Sequence, residues 1–138
     1  MAAVQTRDIG EETLDLLRRL IALQSVNDLT PDSGNEEAAA NLFETFFHGL
    51  PVEVERIEPH PGRTTLVVTL RGSDPSAQPL TFLGHTDVVP VDEKHWTHPP
   101  FAGEISEGSI WGRGSVDMLH LTAAMAVVTR RLAEEVSR

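Results

Sequence analysis

The chain has 138 residues, a length that suits one domain with a buried core of moderate size. Its 21 acidic and 11 basic side chains give a formal net charge of -10, which repels phosphate backbones and anionic membrane surfaces, so neither nucleic acid nor membrane is an expected partner. The absence of cysteine excludes disulfides, thiolate nucleophiles and thiolate zinc sites. Any metal must therefore be bound by His, Asp and Glu.

No part of the sequence has the composition of a targeting or membrane-spanning segment. The N-terminal residues carry charges throughout and include no apolar stretch of the length that a signal peptide needs. No later run approaches the roughly 18 apolar residues of a membrane span. The sequence therefore favours a soluble cytoplasmic protein with one domain over residues 1–138.

Two amphipathic helices are predicted in the first part of the chain. Apolar residues at helical spacing predict a helix over about 10–24, with charged residues on its other side. A cluster of turn-forming residues follows, in which Ser33 or Asn35 can cap a second helix that Pro51 ends. The apolar stripe of this second helix consists of Ala39, Leu42, Phe43, Phe46 and Leu50.

Three strands are predicted after these helices. "VEVERIE" alternates in polarity, "TTLVVTL" is rich in β-branched residues, and "PLTFLGH" is a short apolar run. The last two are expected to be central strands of a sheet, joined by a surface loop over 71–79. After a long connection, helical spacing from Leu121 to Leu132 predicts a final helix. This order of elements predicts a layered α/β fold.

The segment "GHTDVVP", residues 84–90, places a histidine and an aspartate directly after the third predicted strand. In an extended segment His85 and Asp87 lie on the same side, and ligands of open α/β sheets bind beyond the carboxyl ends of the strands. A metal-bound imidazole commonly donates its second N–H to a carboxylate, a role that Asp87 can fill. Asp117 follows the glycine-rich turn "WGRGSVD" at the start of the last helix, where its carboxylate could bridge two cations.

The other histidines have structural interpretations. His95 and His98 precede two prolines that forbid a continuing helix, so they are interpreted as part of a loop anchored by Trp96 and Phe101. His120 is interpreted as an ordinary helical histidine, with a position facing the cleft as the alternative. The two remaining histidines, His48 and His60, have no carboxylate at ligand spacing and are interpreted as structural.

The acidic pairs and the glycine-rich turn are also given structural roles. Glu11-Glu12 and Glu36-Glu37 are interpreted as residues of early helix turns that complement the helix dipole. Glu134-Glu135 is interpreted as part of a solvated helix face. Gly112 and Gly114 are expected to permit a tight turn with positive φ, and Arg113 to pair with a nearby acid. A dinucleotide site is rejected because no G-x-G-x-x-G separates a strand from a helix.

Three ordered segments, "FLGHTDVVPV", "HWTHPPF" and "GSIWGRGSVDM", together resemble the N-terminal part of a family of di-zinc exopeptidases. This family comprises aminoacylase, acetylornithine deacetylase, succinyl-diaminopimelate desuccinylase and carnosinase. The resemblance implies a layered α-β-α catalytic domain with a central mixed, largely parallel sheet that is incomplete at its C-terminal side. It also implies that His85 binds one zinc, that Asp117 bridges both zincs, and that Asp87 is the catalytic partner that orients His85. Cobalt or manganese also suits such ligands.

The function implied by the resemblance is metal-dependent hydrolysis of an amide or peptide bond in a small N-acyl amino acid or dipeptide-like substrate. The resemblance also implies a homodimer formed through a domain absent from this chain, and a general base and remaining ligands that lie farther along the sequence than Arg138. The 138-residue chain alone is therefore expected to bind metal weakly and to lack activity. The alternative is a non-catalytic interaction module or pseudoenzyme that retains the fold.

Two local features of the resemblance concern the start of the last helix. The resemblance implies a non-proline cis peptide bond between Asp117 and Met118. In contrast, the segment "DMLHLTAA" departs from the family, in which Lys and then Gly or Asn often follow "DM". Leu119 and His120 make this helix entrance bulkier, so the segment gives no indication of the substrate.

Overall fold

The computed structural model describes residues 8–136. It contains three α-helices together with β-strands, in agreement with the predicted α/β class. The predicted domain spans residues 1–138, and the prediction that no signal peptide is present concerns its N-terminal residues. Residues 1–7 and 137–138 lie outside the described residues. Within the described part of the chain, no helix has the length and apolar composition to cross a membrane. The helices are α1 (Ile9–Ala22), α2 (Glu37–Phe47) and α3 (Leu119–Val136).

The starts of α1 and α2 differ in how their first amide groups are satisfied. Asp8 caps α1, because its side chain accepts hydrogen bonds from two N–H groups of the first turn at 2.8 and 3.2 Å. The N-cap of α2 is Glu36, which makes no capping bond with its side chain, so the predicted caps Ser33 and Asn35 are wrong. Ser33 instead bonds within the loop that precedes the helix. The helix also ends before it reaches Pro51.

The hydrophobic core lies between the three helices. Leu16 and Ile21 of α1 and Leu119 and Val127 of α3 are fully buried, and the phenylalanines of α2 pack on the same cluster. Burying one such side chain contributes roughly 1.5–3 kcal/mol. Helix packing therefore holds the domain together and fixes the start of α3, where Asp117 lies.

The strands form two separate antiparallel pairs, in each of which the two strands are joined by a short turn. The predictions of strands at "VEVERIE" and "TTLVVTL" are confirmed, and the loop over 71–79 that follows them is exposed. Within the described residues "TTLVVTL" pairs with β1 alone, so the prediction that it is a central strand is wrong there. A single turn of 3-10 helix at Glu93–His95 precedes the second pair. The strands are β1 (Glu53–His60), β2 (Arg63–Thr69), β3 (Glu104–Ser106) and β4 (Ser109–Trp111).

The prediction of a third strand at "PLTFLGH" is wrong for the described part of the chain. Its residues adopt no regular secondary structure, and Leu80 and Leu83 are 79% and 88% exposed. An apolar run becomes a strand only when a neighbour pairs with its backbone N–H and C=O groups, and residues 8–136 offer it none. Residues 8–136 therefore do not form the predicted central sheet. The parallel pairing among them is a single bridge between Val26 and Val88. The layered α-β-α arrangement stays a prediction.

Candidate metal centre

The segment that carries His85 and Asp87 is fixed from two sides. Val88 forms backbone hydrogen bonds of 2.9 and 2.8 Å with residues 25–27, in the loop that follows α1. The Thr122 hydroxyl, in the first turn of α3, donates to the backbone carbonyl of His85 at 3.0 Å. A segment outside the named strands is thus held against the loop after α1 and against α3, which gives its side chains defined positions.

Two glycines allow the turn before Asp117 to approach the core. Gly114 has a φ of +83°, and a Cβ there would lie 2.5 Å from Cγ1 of Val88. A Cβ at Gly112 would lie 2.7 Å from Cδ1 of Ile21. The predicted positive φ is therefore confirmed at Gly114 but wrong at Gly112, where the glycine is required for close approach to Ile21. The predicted cis peptide bond after Asp117 is also present.

The imidazole of His85 lies between the two predicted carboxylates. Its Nε2 lies 3.2 Å from Oδ1 of Asp117, a residue 32 positions farther along the chain. Its Nδ1 lies 2.9 Å from the backbone oxygen of Asp87 and 3.3 Å from Oδ1 of the same residue. A neutral ring that donates from Nδ1 carries its lone pair on Nε2, the atom that faces Asp117. Asp87 thus orients the ring through its carbonyl as well as through its carboxylate.

Asn27 belongs to this site although no sequence pattern indicated it. Its Nδ2 donates to Oδ2 of Asp87 at 2.8 Å, and its Oδ1 accepts from the N–H of Leu29 at 3.0 Å. The amide therefore holds the Asp87 carboxylate on the side opposite His85. The only local signal is an asparagine at the start of a turn cluster, and the neighbouring residues of that cluster share this signal.

The environment of His85 raises its pKa above the ordinary value of 6.5. Partial burial lowers the pKa, but the hydrogen bonds to the Asp87 carbonyl and the Asp117 carboxylate, together with the negative charges of both side chains, outweigh it. A metal ion would need the deprotonated Nε2, so it would compete with this proton for the same atom.

The donor atoms fit a metal ion in type and spacing. An imidazole nitrogen and a carboxylate oxygen that bind one tetrahedral zinc at roughly 2.0–2.2 Å lie about 3.3 Å apart, close to the 3.2 Å between Nε2 of His85 and Oδ1 of Asp117. The side chain of Asp117 is 88% exposed, which leaves its carboxylate accessible to a second ion. Among residues 8–136, however, no three His, Asp or Glu side chains form a group that could hold an ion.

The other histidines lie outside this constellation, as the sequence predicts. His95 and His98 belong to the loop before β3, where Nδ1 of His98 lies 3.1 Å from Oε1 of Glu104 and its ring is 4.5 Å from that of Trp111. His120 is partly buried in the first turn of α3, and its buried Nδ1 has no hydrogen-bond partner in the described part of the chain. None of these three lines the cleft beside His85.

The acidic residues near the C-terminus of α3 and in α1 form ion pairs on the helix surfaces. Glu134 lies 3.0 Å from Arg130, and Glu12 of α1 lies 2.6 Å from Arg131 of α3. Glu11 and Glu12 lie in the first turn of α1, which agrees with their interpretation as residues that complement the helix dipole, and Glu134 and Glu135 lie on α3, as predicted. The ion pairs also connect α1 with α3, the two helices that enclose the core.

Among residues 8–136 no acidic side chain pairs with Arg113, so that prediction is wrong. Its guanidinium lies over the Trp96 ring, 5.2 Å from the centroid, and approaches the backbone oxygen of Pro90 at 3.4 Å. The ring and the carbonyl take the place of the expected carboxylate. Arg113 and Trp96 together form one wall of the cleft in front of the turn.

A cleft of about 390 Å³ contains the three predicted residues. This volume lies within the range of about 300–1,000 Å³ typical of small-molecule sites. Another cavity, of about 620 Å³, is lined largely by charged side chains of α1 and contains none of the predicted ligands. The lining of the first cleft comprises Asn27, Leu29, His85, Asp87, Val88, Val89, Trp96, Gly112, Arg113, Gly114, Ser115, Val116 and Asp117.

Comparison with known proteins gives consistent matches. Residues 81–138 match the peptidase family M20/M25/M40. Aminoacylase-1 of Sus scrofa is 32% identical over 134 residues, which cover 96% of this chain and 32% of the relative, and aminoacylase-1 of Homo sapiens is 35% identical over 124 residues, 89% and 29% respectively. The N-fatty-acyl-amino acid synthase/hydrolase PM20D1 of Bos taurus is 41% identical over 81 residues, 59% of this chain and 15% of the relative.

The chain thus spans about a third of the length of the aminoacylases that it matches. The family match includes the segment with His85, Asp87 and Asp117, and the similarity to aminoacylases extends along nearly the whole chain. These matches support a place for the chain in the peptidase family M20/M25/M40, as the N-terminal part of an aminoacylase-like member.

Proposed function

We propose that the chain is part of a metal-dependent hydrolase that cleaves the amide or peptide bond of a small N-acyl amino acid or dipeptide-like substrate. The observation that carries this proposal is the 3.2 Å distance between Nε2 of His85 and Oδ1 of Asp117, which brings a nitrogen and an oxygen ligand together in a cleft. The names of the relatives, an aminoacylase and an N-fatty-acyl-amino acid synthase/hydrolase, support an acylated amino acid as the substrate.

Each of the three predicted residues has a distinct role in this proposal. His85 and Asp117 would hold one zinc ion, and Asp117 would also hold a second one; cobalt or manganese is the alternative metal. Bound ions of this kind polarise the scissile carbonyl and lower the pKa of water. Asp87 keeps Nε2 aimed at Asp117, because its carbonyl accepts from Nδ1 of the ring. Asn27 in turn fixes the Asp87 carboxylate.

The 138-residue chain alone is proposed to bind metal weakly and to have no measurable hydrolytic activity. The support is that the described residues bring together too few ligands for one ion, and a dinuclear site needs more. The general base and the remaining ligands would belong to a longer polypeptide. A homodimer formed through a further domain is part of the same proposal, supported by the family resemblance. A cytoplasmic location stays a prediction from the sequence.

The test uses the longest natural polypeptide that contains this chain. Its metal content is measured by mass spectrometry, and hydrolysis of an N-acetyl amino acid is followed before and after treatment with a chelator. We expect about two ions per chain, loss of activity on chelation and recovery on addition of zinc. His85→Ala and Asp117→Ala should abolish both properties, whereas His95→Ala, outside the cleft, should retain them.

The competing function is a non-catalytic interaction module. It would be supported by a purified polypeptide that contains no stoichiometric metal and hydrolyses no acylated amino acid. Stoichiometric metal whose removal left the hydrolysis rate unchanged would contradict the proposed role of His85 and Asp117, because both residues act only through the ion.

A further inference from the structure

Arg63, the first residue of β2, forms a partly buried ion pair with Glu36, the N-cap residue of α2. Nε of Arg63 lies 2.7 Å from Oε2 of Glu36, and the Glu36 side chain is 12% exposed. The backbone joins the same two elements, because the N–H of Glu37 donates to the carbonyl of Gly62 at 3.2 Å. The tip of the β1–β2 hairpin is therefore fixed to the start of α2 through a charged hydrogen bond, which is roughly twice as strong as a neutral one.

The loop between α1 and α2 lies directly against this ion pair at Gly34. A Cβ at Gly34 would lie 2.9 Å from Cζ and Nε of Arg63 and 3.1 Å from Oε1 of Glu36, so the ion pair leaves no room for a side chain there. The N–H of Gly34 donates to the carbonyl of Val26 at 2.9 Å, which bonds Gly34 to the residue before Asn27. Movement of the guanidinium would therefore release the segment that carries Asn27.

Asn27 connects this loop to the candidate metal centre. Its backbone N–H donates to the carbonyl of Val88 at 2.8 Å, and its Nδ2 donates to Oδ2 of Asp87 at 2.8 Å. The hydrogen bond and the charge of Glu36 raise the pKa of Arg63, and the negative charge of Asp87 raises this pKa further. The guanidinium is thus close enough to Asp87 for the two charges to interact, while the contacts that hold the carboxylate belong to the loop.

Arg71, near the other end of β2, forms an ion pair of a different kind. Its guanidinium donates two hydrogen bonds, of 2.9 and 2.8 Å, to Glu53 at the start of β1. The two side chains are 76% and 63% exposed, and they join the two strands of the hairpin to each other. Exposed pairs of this kind contribute little to stability. Arg71 therefore provides a matched control, an arginine of the same hairpin that is also paired with a glutamate.

We propose that Arg63 is a positioning residue of the candidate metal centre, and that its ion pair with Glu36 clamps the loop over 27–34. This clamp keeps Asn27 bonded to the Asp87 carboxylate. The inference rests on the proposed function for the role of that centre, but the clamp itself requires no metal. In the described part of the chain Arg63 lies outside the lining of the cleft, so it acts on the metal ligands through other residues. Contacts of this outer kind strengthen the binding of a metal ion.

The first measurement follows solvent exchange of the Asn27 side-chain amide by NMR. It uses the longest natural polypeptide that contains this chain, labelled at asparagine and kept metal-free with a chelator. Arg63→Met removes the charge but keeps an unbranched side chain, and it should speed this exchange about tenfold, because the amide loses a hydrogen bond to a charged group. Arg63→Lys can still pair with Glu36 and should stay within about twofold of wild type. Arg71→Met should leave the exchange unchanged.

Metal affinity, measured on the same variants by competition with a chromophoric chelator, separates positioning from charge. Removing a cation near the centre would by itself favour a metal ion, whereas losing the clamp would release Asp87 and weaken binding. We expect Arg63→Met to weaken zinc binding about tenfold, and Arg63→Lys and Arg71→Met to stay within about twofold of wild type. Tighter binding by Arg63→Met, or an equal loss in Arg71→Met, would overturn the inference. Failure of the lysine variant to restore binding would also overturn it.

Glu36→Gln tests the same ion pair with almost no change in shape, in case Arg63→Met does not fold. Faster exchange of the Asn27 amide in this variant would support the clamp, and unchanged exchange would reject it. A polypeptide that shows the exchange response but has neither metal nor hydrolytic activity would support the clamp and reject the proposed function. Metal-dependent hydrolysis without the exchange response would do the reverse.

Discussion

Nδ2 of Asn27 donates a hydrogen bond to Oδ2 of Asp87 at 2.8 Å, across 60 positions of the chain. The other carboxylate oxygen of Asp87 lies 3.3 Å from Nδ1 of His85. One carboxylate therefore connects the loop after α1 to the imidazole. Residues that hold a metal ligand in this way set its orientation and basicity, so the loop after α1 would contribute to the proposed metal site through Asn27.

Replacing Asn27 by alanine should weaken metal binding about tenfold, because the Asp87 carboxylate loses the partner that fixes its plane. Competition with a chromophoric chelator measures this on the longest natural polypeptide that contains the chain. Asn41→Ala is the matched control, since the Asn41 side chain accepts a hydrogen bond from Arg56 away from the cleft. Equal affinities for the two variants would show that Asn27 does not support the metal site.

In the metal-free chain, NMR titration should give His85 a pKa above 6.5, because hydrogen bonds and charges from Asp87 and Asp117 outweigh its partial burial. Asp117→Asn should lower that pKa, since it removes one of the two charges. The raised pKa stabilises the folded chain fully below pH 6.5, and this contribution is lost as the pH rises through the folded-state value. The stability difference between wild type and Asp117→Asn should therefore decrease as the pH rises; a constant difference would contradict this pairing.

The turn before Asp117 should tolerate no side chain at Gly114. Alanine there must adopt a φ of +83° and place its Cβ 2.5 Å from Val88. The conformation costs about 1–2 kcal/mol, and the overlap with the buried Val88 adds roughly 1–3 kcal/mol. Gly49→Ala is the control, because its φ is +79° but nothing lies within 4 Å of the new Cβ. Urea unfolding should show a larger loss for Gly114→Ala, and equal losses would mean that the turn moves away from Val88.

The elements predicted correctly are those whose cause is local. The helices depend on apolar spacing and the β1–β2 pair on adjacent segments joined by a short turn, so both can be read from neighbouring residues. The run "PLTFLGH" has the composition of a strand but depends on a partner distant in sequence. The described residues provide no such partner, and the composition alone cannot indicate this.

The site shows the same division between local and distant causes. His85 and Asp87 were predicted from their spacing after an apolar run, and Asp117 from its position at a helix start together with the family resemblance. Asn27 reaches Asp87 only because Val26 and Val88 form a parallel bridge. That bridge joins segments about 60 residues apart, and no local pattern predicts it.

Asp28 should make the loop after α1 sensitive to acid. The hydrogen bond from the Thr30 hydroxyl, with further bonds from the Thr30 N–H and Ser33, lowers the pKa of Asp28 from 3.8 to about 2. This contribution to stability is present above pH 3.8 and is lost as the pH falls towards about 2. Thermal unfolding should therefore show a lower Tm for Thr30→Val than for wild type at neutral pH. The difference should disappear near pH 2, and a difference that persisted there would indicate a cause other than the ionised carboxylate.

The 138-residue chain should self-associate through residues 80–83. Leu80 and Leu83 are largely exposed, Phe82 is half-exposed, and no strand in the described part of the chain pairs with this run. Exposed apolar segments with unpaired backbone groups favour association with another chain. Leu83→Lys should therefore shift sedimentation velocity profiles towards the monomer. Leu29→Lys adds the same charge at an equally exposed leucine in the cleft, so an equal shift with this variant would assign the effect to net charge rather than to residues 80–83.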